Sequence, residues 1–168
     1  MIIQTVENEE IEELADLAGR VFSDSFGHSF TKKELESVIK SSRSPEYFRK
    51  ALNEGIILVA IIDGKIVGYV QFGSVKIPEI EPSTDIGELG RVYIETKLQG
   101  QGIGEKLSKA ALKHPELKNK GTIYLQVWEE NIKAINLYKK LGFKLHGRTK
   151  FKIGDKTDAE DLIMRLDQ

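Results

Sequence analysis

The sequence predicts a single α/β domain built on a mixed, largely antiparallel sheet. Three observations carry that expectation. Glu88 to Lys113 runs strand, glycine turn, helix without a spare residue. Two β-branched runs meet at Asp63-Gly64, a tight-hairpin signal. Two further runs near the C-terminus, Leu145 to Phe151 and Asp158 to Arg165, are joined by a turn at Gly154-Asp155.

The elements follow in order. Ile2 to Val6 reads as a short strand, and Asn8 as the cap of a helix whose apolar residues Ile11, Leu14, Ala15, Ala18, Val21 and Phe22 share one face. Gly27 interrupts it. Thr31-x-x-Glu34 has the form of a capping box for a second helix, and Ser44-Pro45 starts a third that ends at Gly55. Ile56 to Ile62 and Ile66 to Val75 form the first hairpin. Pro78 and Pro82 bound a loop expected to be mobile or pocket-lining. The central strand alternates Val92 and Ile94 with Arg91, Tyr93 and Glu95, and the next helix carries Ile103, Leu107, Ala110 and Ala111 at helical spacing. His114-Pro115 stops that helix, Gly121 to Trp128 is a buried strand, and Gly142 ends the helix that follows.

Composition narrows the functional classes. A chain of 168 residues with 40% hydrophobic content can bury a core without staples, and zero cysteines exclude disulfides, thiolate nucleophiles and zinc–thiolate sites. A net charge of −1 gives no general attraction for nucleic acid. The apolar run Ile56 to Ile62 is far too short to span a bilayer, and no basic region precedes the apolar N-terminal residues; the expectation is a cytoplasmic protein with no membrane association. His28, His114 and His146 have no spacing that suggests a metal or a catalytic triad.

Chemistry concentrates at Gln99-Gly100-Gln101-Gly102-Ile103-Gly104. Glycines there let consecutive N–H groups converge where the helix dipole is positive, which suits phosphate. A Walker loop is excluded because Glu105-Lys106-Leu107 follows Gly104, and a dinucleotide fingerprint is a poor match because its third glycine is misplaced. A flexible turn that happens to hold glycines is the bland alternative. A second constellation, Asn131…Ala134…Tyr138…Gly142-Phe143, follows the strand that ends at Trp128.

Taken together, Gln99-x-x-Gly102-x-Gly104 and Asn131…Ala134…Tyr138…Gly142-Phe143 resemble the two cofactor segments of the GNAT superfamily of acetyl-CoA-dependent N-acetyltransferases, in the same order and each behind a strand. The resemblance covers nearly the whole chain. It implies about seven strands flanked by four to five helices, with the two central strands splayed to admit acetyl-CoA. It implies backbone N–H groups near Val92 and Ile94 that polarise the thioester and hold the pantetheine arm, with Tyr93 among the cofactor-binding residues. It also implies a pyrophosphate on Gln99, Gly100, Gln101, Gly102, Ile103 and Gly104, and Tyr138 as general acid for the departing thiolate.

A phenol suits that role, since its pKa near ~10 keeps it protonated at neutral pH. Asn131 is expected to bond pantetheine, cap its helix, or both; Lys140 is a candidate for a cofactor phosphate. Glu88, at the head of the central strand, is the candidate base or cation anchor, with Glu129 a second acid at the acceptor end and Phe26 among the aromatic residues that wall the acceptor pocket. The runs ELGRVYIETKLQGQGIG, IYLQVWEENIKAINLYKKLGF and FKIGDKTDAEDLIMRL look most like the PaiA-type bacterial polyamine acetyltransferases. That implies spermidine or spermine as acceptor; a protein N-terminus, another small amine, or a non-catalytic acetyl-CoA-binding module are the alternatives. The sequence does not give the oligomeric state; the same resemblance offers a homodimer, with the strand Asp158 to Arg165 as a candidate interface.

Overall fold

The computed structural model describes the backbone of residues 1–153 and 157–168, and side chains outside 151–159. The expected turn at Gly154-Asp155 lies outside the described residues. Seven strands form one sheet: β1 Ile2–Thr5, β2 Gly55–Ile62, β3 Lys65–Gly73, β4 Ile86–Ile94, β5 Thr122–Trp128, β6 Lys144–Ile153 and β7 Thr157–Asp167. Their spatial order is β1-β2-β3-β4-β5-β7-β6. Every neighbouring pair is antiparallel except β4 and β5, which run parallel at the centre.

Helices cover both faces. On one side lie α1 Ile11–Phe26, α2 Lys32–Ser42 and α3 Pro45–Ala51. Leu14, Leu17 and Ala18 of α1 and Phe48 of α3 pack there on Ile57, Val59 and Tyr69 of the sheet. On the other side lie α4 Ile103–Lys113, α5 Pro115–Lys118 and α6 Ile132–Lys140, with Leu107, Ala111, Leu117 and Ile135 packed on Val70, Leu89, Ile123 and Leu125. Burying those apolar faces is the main force holding the layers together.

Local signals explain most of the boundaries. Asp63 (φ 50°) and Gly64 (φ 73°) are both left-handed, as a two-residue hairpin between β2 and β3 requires. Thr31 and Glu34 make the reciprocal capping box of α2, and Ser44 Oγ accepts the Tyr47 N–H at the start of α3. Other expectations are corrected. Asn8 does not cap α1: it begins a single 3-10 turn, capped by the reciprocal Glu7–Glu10 pair, and the α-helix starts at Ile11. His114-Pro115 ends α4 but also opens α5, since Pro115 needs no N–H partner at a first helical turn and the His114 ring accepts the Glu116 N–H at 3.2 Å.

The loop before β4 is not a wall of the cavity described below. Val75 and Ile77 are buried with Tyr124 and Ile163 in a small third core, which anchors it. Nor does the strand from Asp158 to Arg165 offer a free edge, because β7 is paired on both sides and β6 is the outer strand.

The centre of the sheet positions everything else. Strands β4 and β5 pair over Ile86–Glu88 and Thr122–Tyr124 only, then diverge. A bulge accompanies the divergence. Val70 of β3 faces Val92 and Phe72 faces Leu89, so β4 carries one more residue than β3 over this stretch, around Gly90 and Arg91. Gly90 belongs there because a Cβ would stand 2.8 Å from the Gln71 carbonyl oxygen. Such a bulge bends its strand, and the bend carries β4 away from β5.

Candidate active site

The divergence opens a cavity of about 1010 Å³ between the central strands. Its floor is Gly90–Ile94 of β4 and Gln126–Trp128 of β5. One end is closed by the glycine turn and the N-terminus of α4, with Ala134, Leu137 and Tyr138 of α6 beside it. The other end is roofed by Phe22, Ser25 and Phe26 of α1, Phe30, and Val38 and Arg43 at α2.

Strand geometry decides which backbone groups face this space. The Glu95 N–H donates to the Val67 carbonyl at 2.9 Å, which makes Ile94 and Gly68 a non-hydrogen-bonded pair of the antiparallel ladder. Two residues back, Val92 and Val70 are the same kind of pair. The N–H and C=O groups of Val92 and Ile94 therefore point away from β3, towards the side from which β5 has withdrawn. The Ile94 carbonyl is taken by the Gln99 side-chain amide at 3.2 Å, which ties the strand to the turn.

At the turn, Gly100 (φ 80°) and Gly102 (φ 79°) are left-handed, and Gly102 is the N-cap of α4. No side chain caps that end, so its amides remain available to an anion. A Cβ at Gly100 or Gly102 would meet nothing within 4 Å; glycine is required here by backbone conformation, not by crowding within the protein.

Tyr138 lies in α6 with its ring edge-on to Phe143 and is only 5% exposed. Its hydroxyl makes no hydrogen bond among the described residues, and the residue lines the cavity. Burial, with the neighbouring Tyr93 phenol adding to it, holds its pKa well above the ordinary tyrosine value, so the proton is retained at neutral pH. Tyr69 is likewise buried with a raised pKa, but it is sealed in the other core. Asn131 accepts the Ala134 N–H at 3.2 Å as the N-cap of α6 while lining the cavity.

Of the residues singled out from sequence, Phe26, Val92, Tyr93, Ile94, Gln99, Gly100, Gly102, Ile103, Gly104, Asn131 and Tyr138 meet around this one space. Gln101, Lys140, Glu88 and Glu129 do not line it. Lys140 is paired with Glu105 at 2.7 Å on the outer surface, although Glu105 itself borders the glycine turn. Glu129 is held by Arg148 at 2.9 Å, and the same guanidinium takes Glu160. Glu88 turns towards the loop before β4, accepting the Lys76 N–H at 2.6 Å. Burial raises its pKa, partly opposed by the N–H groups of Lys76 and Ile77.

Among the described residues six charged ones line the cavity, Arg43, Arg91, Glu105, Glu130, Lys133 and Asp161, none of which was singled out above as a site residue. Asp161 of β7 stands opposite Trp128 of β5, and burial pushes its carboxyl up to about 6. Arg43, immediately after α2, is buried against Phe22. A signal for Asp161 existed: it shares strand parity with Ile163, a core residue, so an acid at that position faces inward. Nothing local marks Arg43.

Comparison with known proteins settles the class. Residues 13–143 match the Acetyltransferase (GNAT) family. The chain belongs to that family. It is 36% identical over 103 residues to the spermine/spermidine N(1)-acetyltransferase of Bacillus subtilis, a match covering 60% of this chain and 66% of that protein. It is 34% identical over 96 residues to an N-alpha-acetyltransferase of Sulfurisphaera tokodaii, covering 54% and 58% respectively. Among solved structures it is similar to the PaiA N-acetyltransferase of Thermoplasma acidophilum in complex with coenzyme A, with a TM-score of 0.77 and 22% identity over all of both chains.

Acetyl-CoA is the donor expected of the GNAT family, and the residues present fit it. The uncapped start of α4 suits the pyrophosphate, and the open edge of β4 at Val92 and Ile94 suits an extended arm of amides. Bound there, acetyl-CoA supplies an acyl carbon activated as a thioester. Among the described residues no cluster of His, Asp and Glu is arranged to hold a metal ion, and no helix is long and apolar enough to cross a membrane.

Proposed function

We propose that this GNAT enzyme acetylates a primary amine by direct attack on the thioester, with Tyr138 as the general acid. The observation that carries the reading is one cavity lined together by the glycine turn, the open β4 edge and Tyr138. In this scheme the Val92 N–H, or that of Ile94, stabilises negative charge on the carbonyl oxygen; one such donor contributes about 3 kcal/mol. Tyr138 gives its proton to the departing sulfur as the C–S bond breaks and the N–C bond forms, and the amine's surplus proton passes to water or to Asp161. Glu88 is assigned a positioning role at most, with Lys140 and Glu129 outside the reaction.

The names of the Bacillus relatives support a polyamine such as spermidine or spermine as the first acceptor to try, and the name of the Sulfurisphaera relative supports a protein N-terminus. We place the enzyme in the cytoplasm, with any homodimer forming along β6 rather than β7.

The test is free-thiol release from acetyl-CoA across polyamines, small amines and peptides with free N-termini. Saturable release with an amine supports the reading. Tight acetyl-CoA binding with no release for any acceptor overturns it in favour of a non-catalytic binding module.

A further inference from the structure

The acceptor end of the cavity carries two guanidinium groups, and the more deeply buried of them, Arg43, has no carboxylate partner among the described residues. Arg43 is 6% exposed, its guanidinium carbon 3.6 Å from the centre of the Phe22 ring and 6.0 Å from that of Tyr93. Its Nη1 donates to Ser42 Oγ at 2.6 Å, its buried Nε has no acceptor, and among the described residues it has no carboxylate partner. Arg91 reaches the same residue from β4, its Nη1 donating to the Ser42 carbonyl at 2.6 Å with the guanidinium 4.8 Å from the centre of the Tyr47 ring. Both arginines line the cavity. Arg91 interacts with the Glu88 carboxylate, whereas two ring faces and the Ser42 hydroxyl offset the Arg43 charge only in part and supply no full counter-charge. A cation withdrawn from water without one is costly, and an anionic ligand relieves it.

Asp161 has the opposite character. It lines the same cavity and has no hydrogen bond or ion pair among the described residues. The end of the groove away from the glycine turn is thus charged both ways.

We propose that the acceptor is an amine that also bears a carboxylate, the carboxylate seated on Arg43 and Arg91 and the amine directed to Asp161. The proposal rests on the acetyl-transfer reading and narrows its acceptor. A carboxylate matches the two-pronged guanidinium face, whereas a polyamine would bring only positive charge to Arg43. Phe22, Phe26, Phe30 and Trp128 around the same end suit an apolar body between the two charged groups, as in an aromatic or long-chain amino acid.

Matched pairs that differ only by the carboxylate test this: phenylalanine against phenethylamine, and lysine against cadaverine, by thiol release from acetyl-CoA. The expected result is a kcat/KM at least about tenfold higher for the amino acid of at least one pair, because a site built for a charged partner rejects the analogue lacking it. Arg43→Gln then brings that ratio towards one by lowering kcat/KM for the amino acid more than for the plain amine. Wild-type calorimetry on the CoA-saturated enzyme supplies the same comparison without turnover and without depending on how the variant folds. Equal or better use of the decarboxylated amines, or of spermidine, overturns the carboxylate proposal and leaves acetyl transfer standing. Absence of thiol release with every acceptor overturns the acetyl-transfer reading instead; calorimetric preference for the amino acid would then still support the anion site, and no preference would overturn it.

Discussion

The two ends of the cavity are built in opposite ways. The donor end comes from one short run, Gln99 to Gly104, and from alternate peptide groups of β4. The acceptor end is assembled from side chains of α1, the residue after α2, β4, β5 and β7. A surface made of backbone needs glycine, a helix start and a strand edge, and it can serve any molecule with the same phosphate and amide arm. A surface made of converging side chains changes with each substitution. On the proposed reading, recognition of the donor is conferred by the fold, and choice of acceptor by the individual residues set upon it.

That contrast is sharpest at Gly102. Gly102→Asp puts a negative charge and a strained left-handed residue at the uncapped start of α4, and should weaken acetyl-CoA binding by ~100-fold or more. Calorimetry with CoA measures it; undiminished affinity would move the anion site elsewhere. Tyr138→Phe removes only a hydroxyl, keeps the ring against Phe143, and should lower kcat by about 100-fold with little change in donor affinity. Unchanged turnover would mean that water protonates the sulfur.

Asp161→Asn probes the acceptor end through pH. The wild-type carboxyl is raised by burial to about 6 from its ordinary value of 3.8, so between those values the folded state binds more protons than the unfolded one. This contribution to stability is therefore present below pH 3.8 and lost as pH rises through about 6. The variant should melt higher than wild type at pH 8 by a larger margin than at pH 3.5, while its amine KM rises and the acid limb of kcat/KM near pH 6 disappears. Glu88→Gln should leave that limb in place; its loss there would restore Glu88 as the base. Smallest of all, Lys140→Ala removes an exposed pair with Glu105 and should shift the KM for acetyl-CoA by less than about threefold. A larger shift would bring Lys140 back to a cofactor phosphate.

Legibility in the sequence follows the same division. Hairpin, capping and glycine-turn signals are local, so β2–β3, α2, α3 and the start of α4 stand close to where residue chemistry predicts them. Resemblance to the family supplied the splayed strands, which no local pattern encodes. Glu88 and Glu129 were placed correctly along the chain but not around it: one faces the N–H groups of the preceding loop and the other Arg148. Direction depends on which neighbours offer donors, and those lie 12 and 19 residues away. Arg43 is harder still, since a guanidinium between two serines reads as surface until α1 is laid across it.

The short parallel seam between β4 and β5 has a mechanical consequence. Past Glu88 and Tyr124 the sheet is joined to itself only at its far end, so the slab β1–β4 and the slab β5–β7–β6 are stitched by a few rungs and by the helices lying across them. A donor laid along the open edge would act as a removable strand, closing a seam that the chain leaves unsewn. Amide exchange at the inner edges of β4 and β5 should then slow more on adding CoA than exchange in the β2–β3 hairpin, and the melting temperature should climb with the logarithm of CoA concentration once the site is saturated.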